Sequence, residues 1–214
     1  MPGGRKRGFD DQAALQAAME LFWRQGYEGT SIADLTQALG INPPSLYAAF
    51  GSKRELFEKT LDRYMCERTV QLEDAMSRPT AHEAVLTLLT GRVDVFTSQG
   101  QPFGCMTIQA GLASGKPHHE IVDLLAAARE RMRRTVLDRL ELALADRDLP
   151  AGTDCTALAR YVMSAIYGLS VEAAAGAPKE ELTAAAILAA QVVPRAPYVV
   201  RGAMDAVPCR PPRT

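Results

Sequence analysis

An all-helical protein is what this sequence predicts, with a three-helix head at the amino terminus joined to a larger helical bundle. Three observations carry that expectation. Apolar residues recur at i, i+3, i+4 and i+7, the spacing of a helix face, and beyond residue 77 no segment alternates as a half-buried strand would. Glycine and proline pairs break the pattern at intervals suited to helix connections. Ser31 with Asp34 and Ser52 with Glu55 form two Ser-x-x-acid start signals on either side of a glycine-centred turn.

Asp10 or Asp11 can cap a first helix whose Leu15, Ala18, Met19 and Phe22 share one face and which ends at Gln25-Gly26, after which Tyr27 packs the link into Ser31. Ser31 opens a short helix that buries Ile32, Leu35 and Leu39 and stops at Gly40, where glycine tolerates the left-handed backbone of a tight turn. Ile41 fills the angle. Asn42 is a good N-cap and Pro43 suits the first helical position, which needs no N–H. The helix starting there buries Leu46 and Phe50 and ends at Gly51, leaving Pro44, Ser45, Tyr47 and Ala48 for a partner. Ser52 opens a longer helix through Leu56, Phe57, Leu61 and Tyr64.

Two short helices around such a turn have the arrangement with which a helix-turn-helix enters a DNA major groove. Lys53, at the positive start of the longer helix, is unfavourable alone but gains from a phosphate bound there, so it reads as a phosphate clamp. Arg5, Lys6 and Arg7 form a basic arm able to follow the backbone or enter a minor groove.

Further along, helices are expected at roughly 80 to 98, 104 to 113, 118 to 147, 154 to 175 and 179 to 192, with a proline-rich tail from 194 to 214. The domain division is accordingly 1–53 for the head, 54–193 for the bundle and 194–214 for the tail. At 47% hydrophobic and 23% charged, the 214 residues have the composition of a globular protein, and a net charge of -1 confines any nucleic-acid affinity to local patches. No apolar run is long enough for a membrane span and no signal-peptide core opens the chain, so a cytoplasmic protein without membrane contact is expected. Cys66, Cys105, Cys155 and Cys209 are too far apart for a zinc or disulfide framework. His118, His119, Glu120 and Asp123 lack a second ligand cluster and read as a solvated helix start, so no metal and no cofactor are expected. Arg129, Arg131, Arg133, Arg134 and Arg139 interleave with Glu130, Asp138 and Glu141 as a salt-bridged face does. The absence of a phosphate loop, a nucleophile elbow or strand-helix alternation argues against an enzyme.

From Asp10 to Tyr64 the chain resembles the TetR-type bacterial transcription regulators, through Phe22 and Gly26-Tyr27, Thr30-Ser31, Ile32, Leu35, Gly40-Ile41, Leu46-Tyr47, Phe50, Lys53 and Leu56-Phe57 in order. The resemblance implies that Thr30 and Ser31 contact phosphate, that Pro43 to Tyr47 form the recognition helix and that Lys53 contacts phosphate after it. Ala49 departs from relatives that carry His or Tyr there, so base reading should rest on Pro44, Ser45, Tyr47, Ala48 and the arm. The implied function is a ligand-responsive repressor binding a palindromic operator as a homodimer; an activator shares every motif.

Leu158, Val162, Ala165, Ile166, Leu169 and Ala173 on one helix, with Leu182, Ala185, Ala186, Ala189, Ala190 and Val193 on the next, form apolar stripes expected at the dimer interface, although both also suit the bundle's own core. The resemblance further implies a pocket for a small apolar or aromatic effector, with Tyr64, Phe96, Phe103, Met106, Gln109, Met132, Tyr161, Met163 and Tyr167 as candidate lining. Cys105 follows Pro102 and Gly104 at an expected helix start, where the positive helix end favours a thiolate. Phe103-Gly104-Cys105 also resembles a motif of a branch of that family in which some members sense electrophiles or oxidants.

Overall fold

The computed structural model describes residues 10–98, 104–112 and 119–195. Among them are nine helices and no strand: α1 (Asp11–Gly29), α2 (Ile32–Leu39), α3 (Pro43–Phe50), α4 (Lys53–Met76), α5 (Ala81–Phe96), α6 (Met106–Leu112), α7 (His119–Ala145), α8 (Cys155–Ala174) and α9 (Lys179–Ala190). No described helix is long and apolar enough to cross a membrane.

The start signals act as their chemistry requires. Asp10, rather than Asp11, caps α1, its Oδ1 accepting from Gln12 N at 2.8 Å. Both capping boxes close reciprocally, Ser31 with Asp34 and Ser52 with Glu55, and Thr80 with Glu83 closes a third at α5. Asn42 Oδ1 accepts from Ser45 N at 2.9 Å with Pro43 at the first position of α3. The expected end of the first helix becomes a kink, because Gly26 takes φ 73° and the helical path resumes as far as Gly29.

In the head, α1 packs on α2 and α4, and Leu35, Leu46, Leu56 and Phe57 are wholly buried. Phe57 meets Phe22 edge-on at 5.1 Å and Tyr27 at 5.2 Å, so the head's core reaches past residue 53 into α4, which runs unbroken to the bundle. There, α5 packs against α4, α8 and α9, and α7 packs along α8. Short α6 lies between the two parts, against α1 on one side and α7 and α8 on the other.

Two arginines of α7 depart from a merely solvated face. Arg139 donates to the carbonyls of Met76 (3.0 Å), Arg78 (3.0 Å) and Pro79 (3.2 Å), capping the negative end of α4. Arg129 donates to Thr107 O at 2.6 Å and so holds α6 to α7.

Candidate functional site

Helix α3 divides cleanly. Leu46 and Phe50 anchor it from within, and Lys59 Nζ donates to Phe50 O at 3.2 Å. Its outer face carries exposed Pro43, Pro44, Tyr47 and Ala48, with Ser45 half-buried beside them. Tyr47 is 50% exposed, a large ring held in water by an otherwise packed helix.

Lys53, at the first position of α4, holds its ammonium 4.2 Å from the Tyr27 ring centroid. Partial burial lowers its pKa, an effect that Glu28 and Asp34 oppose. Because Asp34 caps α2 and acts on Lys53, the starts of α2 and α4 lie within electrostatic reach of each other. Ser31 stays exposed at the start of α2. Thr30 requires a correction: it is completely buried and its hydroxyl donates to Gly26 O at 2.7 Å, so that side chain secures the kink and has nothing to offer a phosphate. Arg5, Lys6 and Arg7 lie outside the described residues.

Inside the bundle, Tyr64 O–H donates to Cys105 Sγ at 3.3 Å. Cys105 Sγ is also 3.1 Å from Thr107 Oγ1, while Cys105 N donates to Ser170 Oγ at 2.7 Å. The cysteine immediately precedes α6, and its carbonyl accepts from Ile108 N and Gln109 N, which agrees with the expected helix start. Gly104 holds φ +82° against α8, where an added Cβ would fall 2.7 Å from Ser170 O. On the far side, the Trp23 ring of α1 meets Tyr64 edge-on at 5.0 Å, so one aromatic contact separates the cysteine from the head. Burial pushes the Tyr64 phenol well above its ordinary range, with the neighbouring Cys105 acting in the same direction.

Of the expected lining, Tyr64, Phe96, Met106, Met132 and Met163 are buried, as is Cys105 beside them, and Gln109 and Tyr167 are half-buried. Gln109 Nε2 is enclosed without a hydrogen-bond partner among the described residues. Tyr161 is a correction: it is 44% exposed on the outer side of α8 and lines nothing internal. Phe103 lies outside the described residues. Reading the sequence missed Arg68, Arg92, Thr107 and Ser170, all buried. A signal was present for the arginines, since each stands where the apolar spacing calls for a hydrophobe, Arg68 between Tyr64 and Leu72 and Arg92 between Leu88 and Phe96.

The stripes assigned to a partner also need correction. Leu158, Val162, Ile166, Leu169, Ala173, Leu182, Ala186, Ala190 and Val193 are buried within this chain, while Ala165 and Ala189 lie at the edge and Ala185 is exposed. A side chain already in its own core cannot also bury surface against a partner. The outer faces of α8 and α9 instead expose Tyr161, Val171, Ile187 and Leu188, with Val192 just beyond α9.

Comparison with known proteins agrees with this geometry. Residues 14–60 match the family described as bacterial regulatory proteins, tetR family. The chain is 34% identical over 181 residues to the HTH-type transcriptional repressor ComR of Escherichia coli (strain K12), covering 84% of this chain and 86% of ComR. A solved chain described as a TetR transcriptional regulator from Rhodococcus sp. RHA1 is 86% identical, with a TM-score of 0.62 over 86% of this chain and 100% of that one. A cysteine-substituted variant of the TetR family regulator CifR, solved with 26-base-pair double-strand operator DNA, is 42% identical, with a TM-score of 0.84 over 89% of this chain and 100% of that one.

Proposed function

Because the chain belongs to the TetR family of bacterial transcription regulators, we propose that it is a homodimeric repressor that reads a palindromic operator and releases it when a small effector enters the bundle. The observation that carries this reading is α3, whose inner face is fixed by Leu46 and Phe50 while Pro43, Pro44, Tyr47 and Ala48, with half-buried Ser45 beside them, line its outer face. That face is small, apolar and uncharged, suited to van der Waals contact with thymine methyls and single hydrogen bonds rather than bidentate arginine readout. Lys53 and exposed Ser31 supply the flanking phosphate contacts. The repressor reading follows ComR, which is named as one, and operator recognition follows CifR, solved on its operator.

Two-fold pairing suits such a reader, because half-sites about 34 to 36 Å apart require two heads at fixed spacing. The exposed apolar side chains of α8 and α9 are the surface for that pairing. An effector near Tyr64 and Cys105 has two routes to the head: the Trp23 ring against Tyr64, and α6, which packs on α1. A cross-tie joins the amino end of α4 to α7, where Arg54 pairs with Glu120. An effector shifts operator affinity only so far as it binds the non-operator head spacing more tightly.

A second reading makes Cys105 itself the sensing group, and it is favoured by the thiol's place between Tyr64 and Thr107 at the start of the helix that touches the head. One experiment tests both: fluorescence-anisotropy titration of operator DNA against a scrambled duplex across salt. Tyr47→Ala should lose at least tenfold in operator affinity but little on scrambled DNA. Lys53→Ala should weaken both alike and lower the salt slope by about one. Equal affinity of the parent for both duplexes would defeat the regulator reading. Release by an electrophile that persists in Cys105→Ser would defeat the thiol reading alone.

A further inference from the structure

The described core holds one buried cation that no acid neutralises. Arg92, on α5, is 3% exposed, donates from Nη2 to the carbonyl of Arg68 at 3.2 Å and leaves its Nε without a hydrogen-bond partner among the described residues. No described carboxylate forms an ion pair with it. Outside the described residues, Asp205 alone among the side chains carries a carboxylate.

Its neighbour Arg68, 5% exposed, is better supplied: it lies 5.0 Å from the Tyr64 ring centroid, donates to Gln71 Oε1 at 3.1 Å and has Glu67 at 3.6 Å. Arg68 Nε is also enclosed without a partner among the described residues. A guanidinium does not discharge at physiological pH, so burial leaves Arg92 charged and in need of an anion. Arg92 and Phe96 share one face of α5 at i, i+4 spacing, and Phe96 O accepts from Gly104 N, which brings that face to the Tyr64–Cys105 contact. Tyr64 and Cys105 both act electrostatically on Arg92, and burial is the larger influence, lowering its pKa.

We propose that Arg92, backed by Arg68, is the anion-binding end of the effector site, and that the effector is an aromatic or apolar molecule carrying a single carboxylate. The inference rests on the effector-responsive reading above and names the chemical class that site accepts. A carboxylate matches the guanidinium fork, takes the free Nε–H and lies beside Tyr64, while its apolar body meets Phe96 and Met106. One negative charge suffices, because Arg68 already has Glu67 nearby. The arrangement also explains why a costly buried charge is kept: a site built for an anion leaves polar groups unpaired when the anion is absent.

The test uses benzoate as probe, with benzamide as its neutral counterpart at equal ionic strength, and reads thermal stability, operator release and emission of Trp23, the single tryptophan, against Tyr64. Benzoate should raise the melting temperature, perturb Trp23 and release operator, while benzamide at the same concentration does none of these. Arg92→Met should lose at least tenfold in benzoate affinity, yet melt no lower than the parent without ligand, because it replaces an unpaired buried charge with a hydrophobe of similar length. Arg92→Lys should keep a weakened response. An Arg92→Met protein that melts several degrees lower, or that responds like the parent, overturns the proposal, as does a parent indifferent to benzoate at millimolar concentration. Equal release by benzamide overturns the anion requirement and leaves the regulator reading standing, whereas failure of the parent to select its operator strikes that reading instead.

Discussion

Gly104 shows how much one residue can hold. Its φ of +82° lies where side chains are strained, and an added Cβ would meet Ser170 O at 2.7 Å and Gln109 Nε2 at 2.9 Å. The glutamine end could move, but the carbonyl is backbone of α8. Gly104→Ala is therefore expected to cost about 1 to 3 kcal/mol in chemical denaturation, by strain and close contact together. The loss should be accompanied by an altered Trp23 emission, because the backbone that seats Cys105 beside Tyr64 must shift. Unchanged stability would show that α8 yields at that point more readily than a packed helix should.

At the scale of elements, the head relies on its caps. Helices α2 and α3 have eight residues each, too short to persist alone, so capping and the packing of Leu35, Leu46 and Phe50 hold them. The Asp34 carboxylate is held below its ordinary range by hydrogen bonds from the Ser31 hydroxyl and backbone N–H, and Glu55 by the backbone N–H and hydroxyl of Ser52. With folded pKa values depressed, both acids stabilise the head above the ordinary carboxylate pKa of about 4, and that contribution is lost as pH falls through the lower folded values. Melting followed by circular dichroism should show the parent losing stability below about pH 4. Glu55→Gln should lose less over the same interval, since glutamine keeps the reciprocal cap without a titrating proton. Identical acid profiles would assign the acid sensitivity elsewhere.

For the whole molecule, the surface proposed for pairing is the outer side of α8 and α9. Leu188 is 67% exposed and Tyr161 44%, whereas Val162, next to Tyr161 in sequence, is fully buried. Leu188→Glu should therefore yield a monomer by size-exclusion chromatography with light scattering while its individual fold persists. Val162→Glu should unfold the chain, because it places a carboxylate in an apolar core. A Leu188→Glu protein that stays dimeric would move the interface off this face.

The sequence by itself determined the helices and which side of α3 faces outward. Caps, glycine turns and breaker pairs are local chemistry, acting within four residues, and so the starts at Ser31, Asn42 and Ser52 were legible along with the exposed side of α3, whereas the choice of Asp10 over Asp11 was made by the structure. Tertiary structure decided what each face meets. An apolar stripe looks the same whether it covers its own core or a partner, so the stripe from Leu158 to Ala173 could be assigned to a dimer when its neighbours α5, α7 and α9 already bury it. Thr30 reads as an exposed contact until the kink at Gly26 claims its hydroxyl. The spacing of Arg68 and Arg92 marks buried positions, but only the packing of α4 and α5 shows what those guanidiniums meet, and Tyr64 meets Cys105 across 41 residues of chain. Periodicity records that a helix has a buried side; only the packed neighbours say which groups share it and which charge is left without a partner.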